Sequence, residues 1–355
     1  MKQFIFLAAT GLMALAACHE FAGPEKRTDE GVLLVSVSSG AATTSTKAET
    51  SPSGKDADLR DIQLFLFSAD GSLYRREVFS AQQTSKSLAR IKAGAYDVVA
   101  VANAPALSGI GSRTELEQAE ITLGLNQSDQ GFLMMGQTAS AVTVKGGTAA
   151  PARAEITVRR HVGRVRLTSV ENGLPAAYGV LDVDCVFLEN GFGTWNYGGT
   201  GDPSAYVNYA GRKAGRNTSS DPSDFIVNQS DALYADLTFR MLDRPVAPGG
   251  RETFDVPFYS FPNKHTAVTD HFSGATSEDA CARLVLKASY GAAGKQSWYY
   301  PVTIENLERN KTYDVSFIIR GPGSPDPNKK LESGSLEVVI AVEPWEDGGD
   351  FIGDF

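Results

Sequence analysis

The residues best suited to metal binding, acid–base work or nucleophilic attack are four histidines and three cysteines. His265 and His271 enclose five residues, which is not a standard ligand spacing, and neither HExxH nor GxSxG occurs. Both flank polar residues and read as surface histidines; His19 lies near the N-terminus and His161 stands alone in the body. The glycine-rich stretches lack GxxxxGK[ST], CxxC is absent, and the carboxylates are scattered through turns without a nominated pair. No catalytic residue, metal ligand or cofactor site is therefore predicted. A structural or binding protein is the expectation, not an enzyme.

Two further groups invite chemistry. Arg159, Arg160, Arg164 and Arg166 lie within RRHVGRVRL and suggest a phosphate or nucleic-acid contact. The formal net charge of −9 argues against a nucleic-acid surface. Arginines in such a run more often pair with carboxylates at a domain interface. Trp195, Tyr197, Tyr206 and Tyr209 sit in a Gly/Asn/Ser-rich excursion over 189–224. They could stack on a sugar, or pin the loop to its own domain. Cys185 and Cys281 lie in apolar runs, and export would permit a disulfide; reduced core cysteines fit equally well.

The elements that must position these residues read as strands. With 35 glycines, 16 prolines and few helix-period stretches, the composition favours an all-β chain with many turns. Ile62–Phe67, Tyr96–Asn103, Ala154–Val158, Gly179–Leu188, Arg251–Phe261, Cys281–Tyr290, Gln296–Ile304 and Thr312–Arg320 are strand candidates. The window 112–123 is the best helix of the first half, with Ser112 or Thr114 as N-cap. The run Arg159–Leu167 predicts one strand with a bulge near Gly163 at the junction of two domains.

The ends are distinctive. Lys2 followed by a short apolar run reads as an export signal rather than a spanning helix. Leu15-Ala16-Ala17-Cys18 resembles a bacterial lipoprotein signal, with Cys18 acylated by palmitate-type chains as the first mature residue. The alternative is an ordinary secretory signal with an incidental cysteine. Residues 1–17 are read as signal peptide. Residues 18–58 hold a tether, an apolar strand with Leu33, Val35 and Val37 on one face, and a Ser/Thr-rich exposed loop. An N-terminal β-sandwich over 59–158 and a C-terminal one over 159–320 follow. Residues 321–355 are a Pro/Gly tether and a last strand, with Leu336, Val338, Ile340 and Val342 on one face. That strand either completes its own sheet or is offered to another molecule's sheet edge.

Together these pieces resemble the FimA/Mfa1-type fimbrillins of Bacteroidia. The resemblance rests on LAAC at 15–18, GVLLVSVSS at 31–39, AGAYDVVAVANAP at 93–105, GFLMMGQT at 131–138 and RRHVGRVRL at 159–167. RNKTYDVSFIIRGPGSPDP at 309–327 and LEVVIAVEPW at 336–345 complete it. It implies two tandem transthyretin-like β-sandwiches with a C-terminal donor-strand tail. It also implies export as an outer-membrane lipoprotein to a surface fimbrium, and a role in adhesion. A protease cuts the loop after the first strand, the strand Val32 to Ser39 leaves, and the tail of another subunit fills the groove. The donor would be Leu336 to Val342 with Trp345. The implied partners are other copies or related subunits, the processing protease, the lipid anchor, and a host protein or glycan. Four apolar donor side chains could contribute about 6–12 kcal/mol gross.

The sequence departs from the family pattern in one respect. Residues 40–59 contain no arginine, so the candidate processing sites are Lys47, Lys55 and Arg60. Cleavage by a different protease, or none, stays open. An uncut chain would remain an anchor or tip subunit; a monomeric glycan-binding surface lipoprotein is the rival from another class.

Overall fold

The computed structural model describes residues 29–39, 58–80, 83–126, 131–147, 149–200, 206–207, 237–264, 281–291, 295–325, 327, 331 and 334–345. Among them no helix is long and apolar enough to cross a membrane. In the first half, β1 (Glu30–Ser39), β2 (Asp61–Ser68), β3 (Leu73–Ser80), β4 (Ser85–Lys92) and β5 (Gly94–Ala102) precede the helix α1 (Arg113–Gln118). Then come β6 (Glu120–Thr122), β7 (Met134–Gln137), β8 (Val142–Val144) and β9 (Ala152–Arg160). The second half holds β10 (Gly163–Asn172), β11 (Leu181–Glu189), β12 (Gly191–Phe192), β13 (Thr194–Asn196), β14 (Tyr206–Val207) and β15 (Phe239–Val246). It closes with β16 (Arg251–Ser260), β17 (Ala282–Tyr290), β18 (Gln296–Ile304), β19 (Lys311–Ile319) and β20 (Leu336–Pro344).

The first sandwich is one sheet in the order β3-β2-β5-β7-β9-β1-β4, with β8 on β5. Strand β9 links its two layers: Ala152–Val158 run parallel to β1, while Arg159 and Arg160 pair with Met135 and Met134 of β7. Alternating side chains build the core. In β9, Ala154, Ile156, Val158 and Arg160 are buried and the residues between them are exposed. β2 breaks the alternation because both its faces are covered, and Ile62 to Phe67 are all buried. The helix starts where a capping box closes: the Glu115 backbone N–H donates to Ser112 Oγ and the Ser112 N–H to the Glu115 carboxylate.

The second sandwich faces the sheet β16-β10-β19-β20 against the sheet β15-β11-β17-β18. Its core includes Val165, Leu167, Val183, Leu286, Tyr300, Val315 and Phe317. The two sandwiches share a device: the first strand pairs in parallel with a much later one, β1 with β9 and β10 with β19. The expected all-β, tandem-sandwich architecture is what the chain forms.

Arg159–Leu167 is not one bulged strand. The chain turns at His161–Val162, ending β9 and starting β10. Gly163 is required there, because a Cβ would lie 2.4 Å from the Glu308 carbonyl oxygen. The register irregularity of β10 falls instead between Leu167 and Ser169. At that point Thr168 Oγ1 donates to the Val315 carbonyl at 3.0 Å.

The junction between the sandwiches is aromatic. Phe192, Trp195, Tyr197, Tyr259, Phe261 and Trp345, all from the second half of the chain, join the core of the first sandwich. A short ladder between β13 and β6, Trp195 opposite Ile121, ties them further.

Candidate assembly interface

The residues that could have carried chemistry are placed by packing. His161 is fully buried at the junction, its ring edge-on to Tyr197 at 5.5 Å. Neither ring nitrogen has a hydrogen-bond partner among the described residues. Burial, with the nearby Arg309 cation, pushes its pKa down to about 3, so it is neutral at physiological pH. His19, His265 and His271 lie outside the described residues, among which no cluster of three metal-ligating side chains occurs.

Cys185 and Cys281 are buried and no disulfide joins them. On the β11–β17 ladder Cys185 faces Lys287 while Glu189 faces Arg283. Cys281 therefore lies about 20 Å along the sheet from Cys185 at ~3.3 Å per residue, far beyond disulfide reach. Burial pushes the Cys185 thiol up to about 12, so it is no nucleophile at neutral pH.

Arg160 and Arg164 serve the junction, while Arg166 pairs within a sheet of the second sandwich. Arg166 grips Asp314 with Nε at 2.8 Å and Nη2 at 2.5 Å. Arg160 and Arg164 hold an aromatic ring: their guanidinium carbons lie 4.4 and 4.7 Å from the Trp345 ring centre. Trp195 and Tyr197 are buried, so these two aromatics pin their segment to the fold. The side chains of Tyr206 and Tyr209 lie outside the described set.

What remains is a pair of strands. β1 is an interior strand, flanked by β4 along Glu30–Ser36 and by β9 along Leu33–Ser39. Leu33, Val35 and Val37 are at most 2% exposed. Their burial is worth about 5–9 kcal/mol gross at ~1.5–3 kcal/mol per side chain. Withdrawing β1 would leave a slot between β9 and β4 with unpaired backbone on both walls. Gly31 sits at one end, where a Cβ would lie 2.1 Å from the Lys145 carbonyl oxygen and 2.8 Å from Val144 Cγ1.

Among the described residues β20 is an edge strand, paired only with β19, from Leu336 opposite Ile319 to Pro344 opposite Lys311. Its apolar face is used in part. Leu336 and Val338 pack on the second core, while Ile340 and Val342 are 37% and 51% exposed and Val339 54%. The strand ends in a peg. Trp345 is 1% exposed, stacks on Tyr259 at 5.6 Å and meets Phe132 edge-on at 4.7 Å. Its backbone N–H donates to the Asn310 carbonyl at 3.0 Å, and its own carbonyl accepts from Arg160 at 3.3 Å.

Cys18, Lys47 and Lys55 lie outside the described residues. Arg60 is exposed, one residue before β2, with its backbone N–H bound to Asn103 Oδ1 at 2.8 Å. Asn103 Nδ2 in turn donates to the carbonyls of Asp58 and Phe132, so the backbone at 58–60 is held to the body.

The family comparison joins this geometry. Residues 32–171, from β1 into β10, match the family model described as "Major fimbrial subunit protein (FimA)". The chain resembles the FimA-type major fimbrial subunits. A fimbrilin of Porphyromonas gingivalis has the same fold at 16% identity, with 89% of this chain and 97% of that one covered and a TM-score of 0.57. Two proteins of Parabacteroides distasonis, described as candidates for cell adhesion, align as well. One has 18% identity, 89% and 100% coverage and a TM-score of 0.59; the other has 16%, 90% and 99% and 0.61. No curated protein matches.

Proposed function

We propose that this chain is a structural subunit of a surface fimbrium, exported as a lipoprotein through Cys18, which polymerises by strand exchange after losing its first strand and contributes to adhesion. The carrying observation is the pairing of an interior but terminal strand, β1, with an edge strand of matching apolar content, β20. The first leaves a groove when cut away; the second, among the described residues, is held on one side only. The segment 40–57 between β1 and β2 is where a protease would separate them, and Lys47 and Lys55 lie in it. The donor surface is Leu336, Val338, Ile340 and Val342, with Trp345 leaving its socket when the tail swings out.

The tie between Arg60 and Asn103 supports a second reading, an uncut subunit that keeps its lipid and anchors the fimbrium. A backbone held at 58–60 is a poor protease substrate. The monomeric glycan-binding reading loses two of its four aromatics, since Trp195 and Tyr197 are buried.

Treating the mature protein with lysine- and arginine-specific proteases tests this. A new N-terminus between residues 40 and 60, followed by fibres that vanish when 331–355 is deleted, is the expected result. A clean cut with no fibres, or fibres indifferent to the deletion, overturns strand exchange.

A further inference from the structure

The tail repeats the pattern of the strand it would replace. β1 carries Gly31-Val32-Leu33-Leu34-Val35-Ser36-Val37, and the tail carries Gly334-Ser335-Leu336-Glu337-Val338-Val339-Ile340. Each has a glycine two residues ahead of a leucine, then β-branched residues at the next two inward positions. We infer that the tail enters a neighbouring copy in one register and in β1's own direction. Gly334 then takes the place of Gly31, and Leu336, Val338 and Ile340 fill the pockets of Leu33, Val35 and Val37. This rests on the strand-exchange reading above and fixes its geometry.

Sterics select that register. In β1 the inward side chains at 33, 35 and 37 are buried, while Ser36 and Ser38 are exposed. The tail matches two of the three pockets with the same side chain and the third with one extra methylene, a tolerable change. Sliding the tail two residues the other way would set Leu336 where Gly31 stands. A Cβ there already lies 2.1 Å from the Lys145 carbonyl oxygen, backbone that cannot yield cheaply. Sliding it in the opposite sense would put Gly334 in the Leu33 pocket and leave a cavity. A one-residue slip would turn Glu337 and Val339 inward. Gly334 has no such task in the folded-back tail: it sits in a turn at φ +91° with nothing within 4 Å of its Cβ position. The selected register also carries Val342 opposite Val158, at the place of Ser39. Trp345 then comes level with the end of β9, beside the arginine-lined socket that the acceptor's own Trp345 has left.

Cross-linking reads the register directly. Ser36 faces Ser85 of β4 and Leu34 faces Ser87. In the inferred register Val339 stands where Ser36 did, so V339C of one processed chain faces S85C of the next. Opposed Cα atoms at such a ladder site are about 4.5–5.5 Å apart, within disulfide reach. Fibres assembled from processed V339C and S85C chains should oxidise to mixed dimers, and V339C with S87C chains should not. Gly334→Asn supplies an independent check. Asparagine accepts a left-handed backbone in the open turn but would strike Lys145 in the groove. The monomer should keep its melting temperature within about 2 °C while fibre yield falls at least tenfold. Tail-dependent fibres that cross-link through S87C, or that form normally with Gly334→Asn, overturn the register but leave strand exchange standing. The absence of any tail-dependent fibre overturns both.

Discussion

Replacing Trp345 with alanine should free the tail without unfolding the body. The attachment of β20 is concentrated at its ends. Leu336 and Val338 are half-buried at one end, Trp345 is buried at the other, and Val339 to Pro344 are exposed between them. Truncating a buried Trp costs about 3–5 kcal/mol. Loss of the contacts with Arg160 and Arg164 falls within the same truncation and is not added separately. The ring lies at the end of a strand whose second edge is unpaired among the described residues, so the loss shows first as local detachment. Three kcal/mol is about a hundredfold in an opening equilibrium and five is about three-thousandfold. Hydrogen exchange followed by mass spectrometry should show amides of 337–344 exchanging about 10²- to 10³-fold faster in W345A. Amides of β2 and β5, central strands of the first sandwich, should change much less. If donor release limits assembly, processed W345A should also form its first contacts sooner. Unchanged exchange in 337–344, or equal acceleration throughout both sandwiches, would refute the idea that Trp345 acts as a peg for the tail.

His161 predicts a pH dependence. Its folded pKa, about 3, lies below the unfolded value near 6.5, so its contribution is complete above about pH 6.5 and is lost as pH falls toward 3, at most ~1.4 kcal/mol per unit. Urea melts at pH 7, 6 and 5 should show this slope, and His161→Phe should reduce it at little cost at pH 7, since neither ring nitrogen has a partner among the described residues. Leu33→Ala should cost about 2–5 kcal/mol in chemical denaturation, whereas Leu34→Ala, half-buried on the other face, should cost clearly less. Ser112→Ala removes the N-cap of α1 and should lower stability by about 1 kcal/mol, with Ser112→Gly or Ser112→Asn closer to the parent in thermal melts. Arg166→Ala strips Asp314 of a two-point partner in a partly buried site and should cost about 1–3 kcal/mol, largely recovered when Asp314→Ala is combined with it.

Much of the fold was legible because strand alternation is a local property. Leu33, Val35 and Val37 declare an inward face without reference to any partner, and so does the alternation of β9. Ser112 and Glu115 close a capping box within one helical turn, so the helix start needed only neighbouring residues. The apolar spacing of 336–342 marked a strand for the same reason. Phase loss between Arg160 and Gly163 was also visible, but a bulge and a turn between two strands look alike in one dimension. The close pass of the Glu308 backbone over Gly163, 145 residues later in the chain, is what distinguishes them.

By itself, then, the sequence determined the all-β character, the inward faces of the strands and the absence of any recognised catalytic spacing, because each depends on residues a few positions apart. Only the tertiary structure decided who meets whom. It set β1 between β9 and β4, left β20 on an open edge, and separated Cys185 from Cys281 along one sheet. It also set Arg160 and Arg164 around the Trp345 ring. Those pairings join segments as far apart as Arg160 and Trp345, and no periodicity carries information across that distance. They are fixed by which buried surfaces fit together once the two sandwiches have formed.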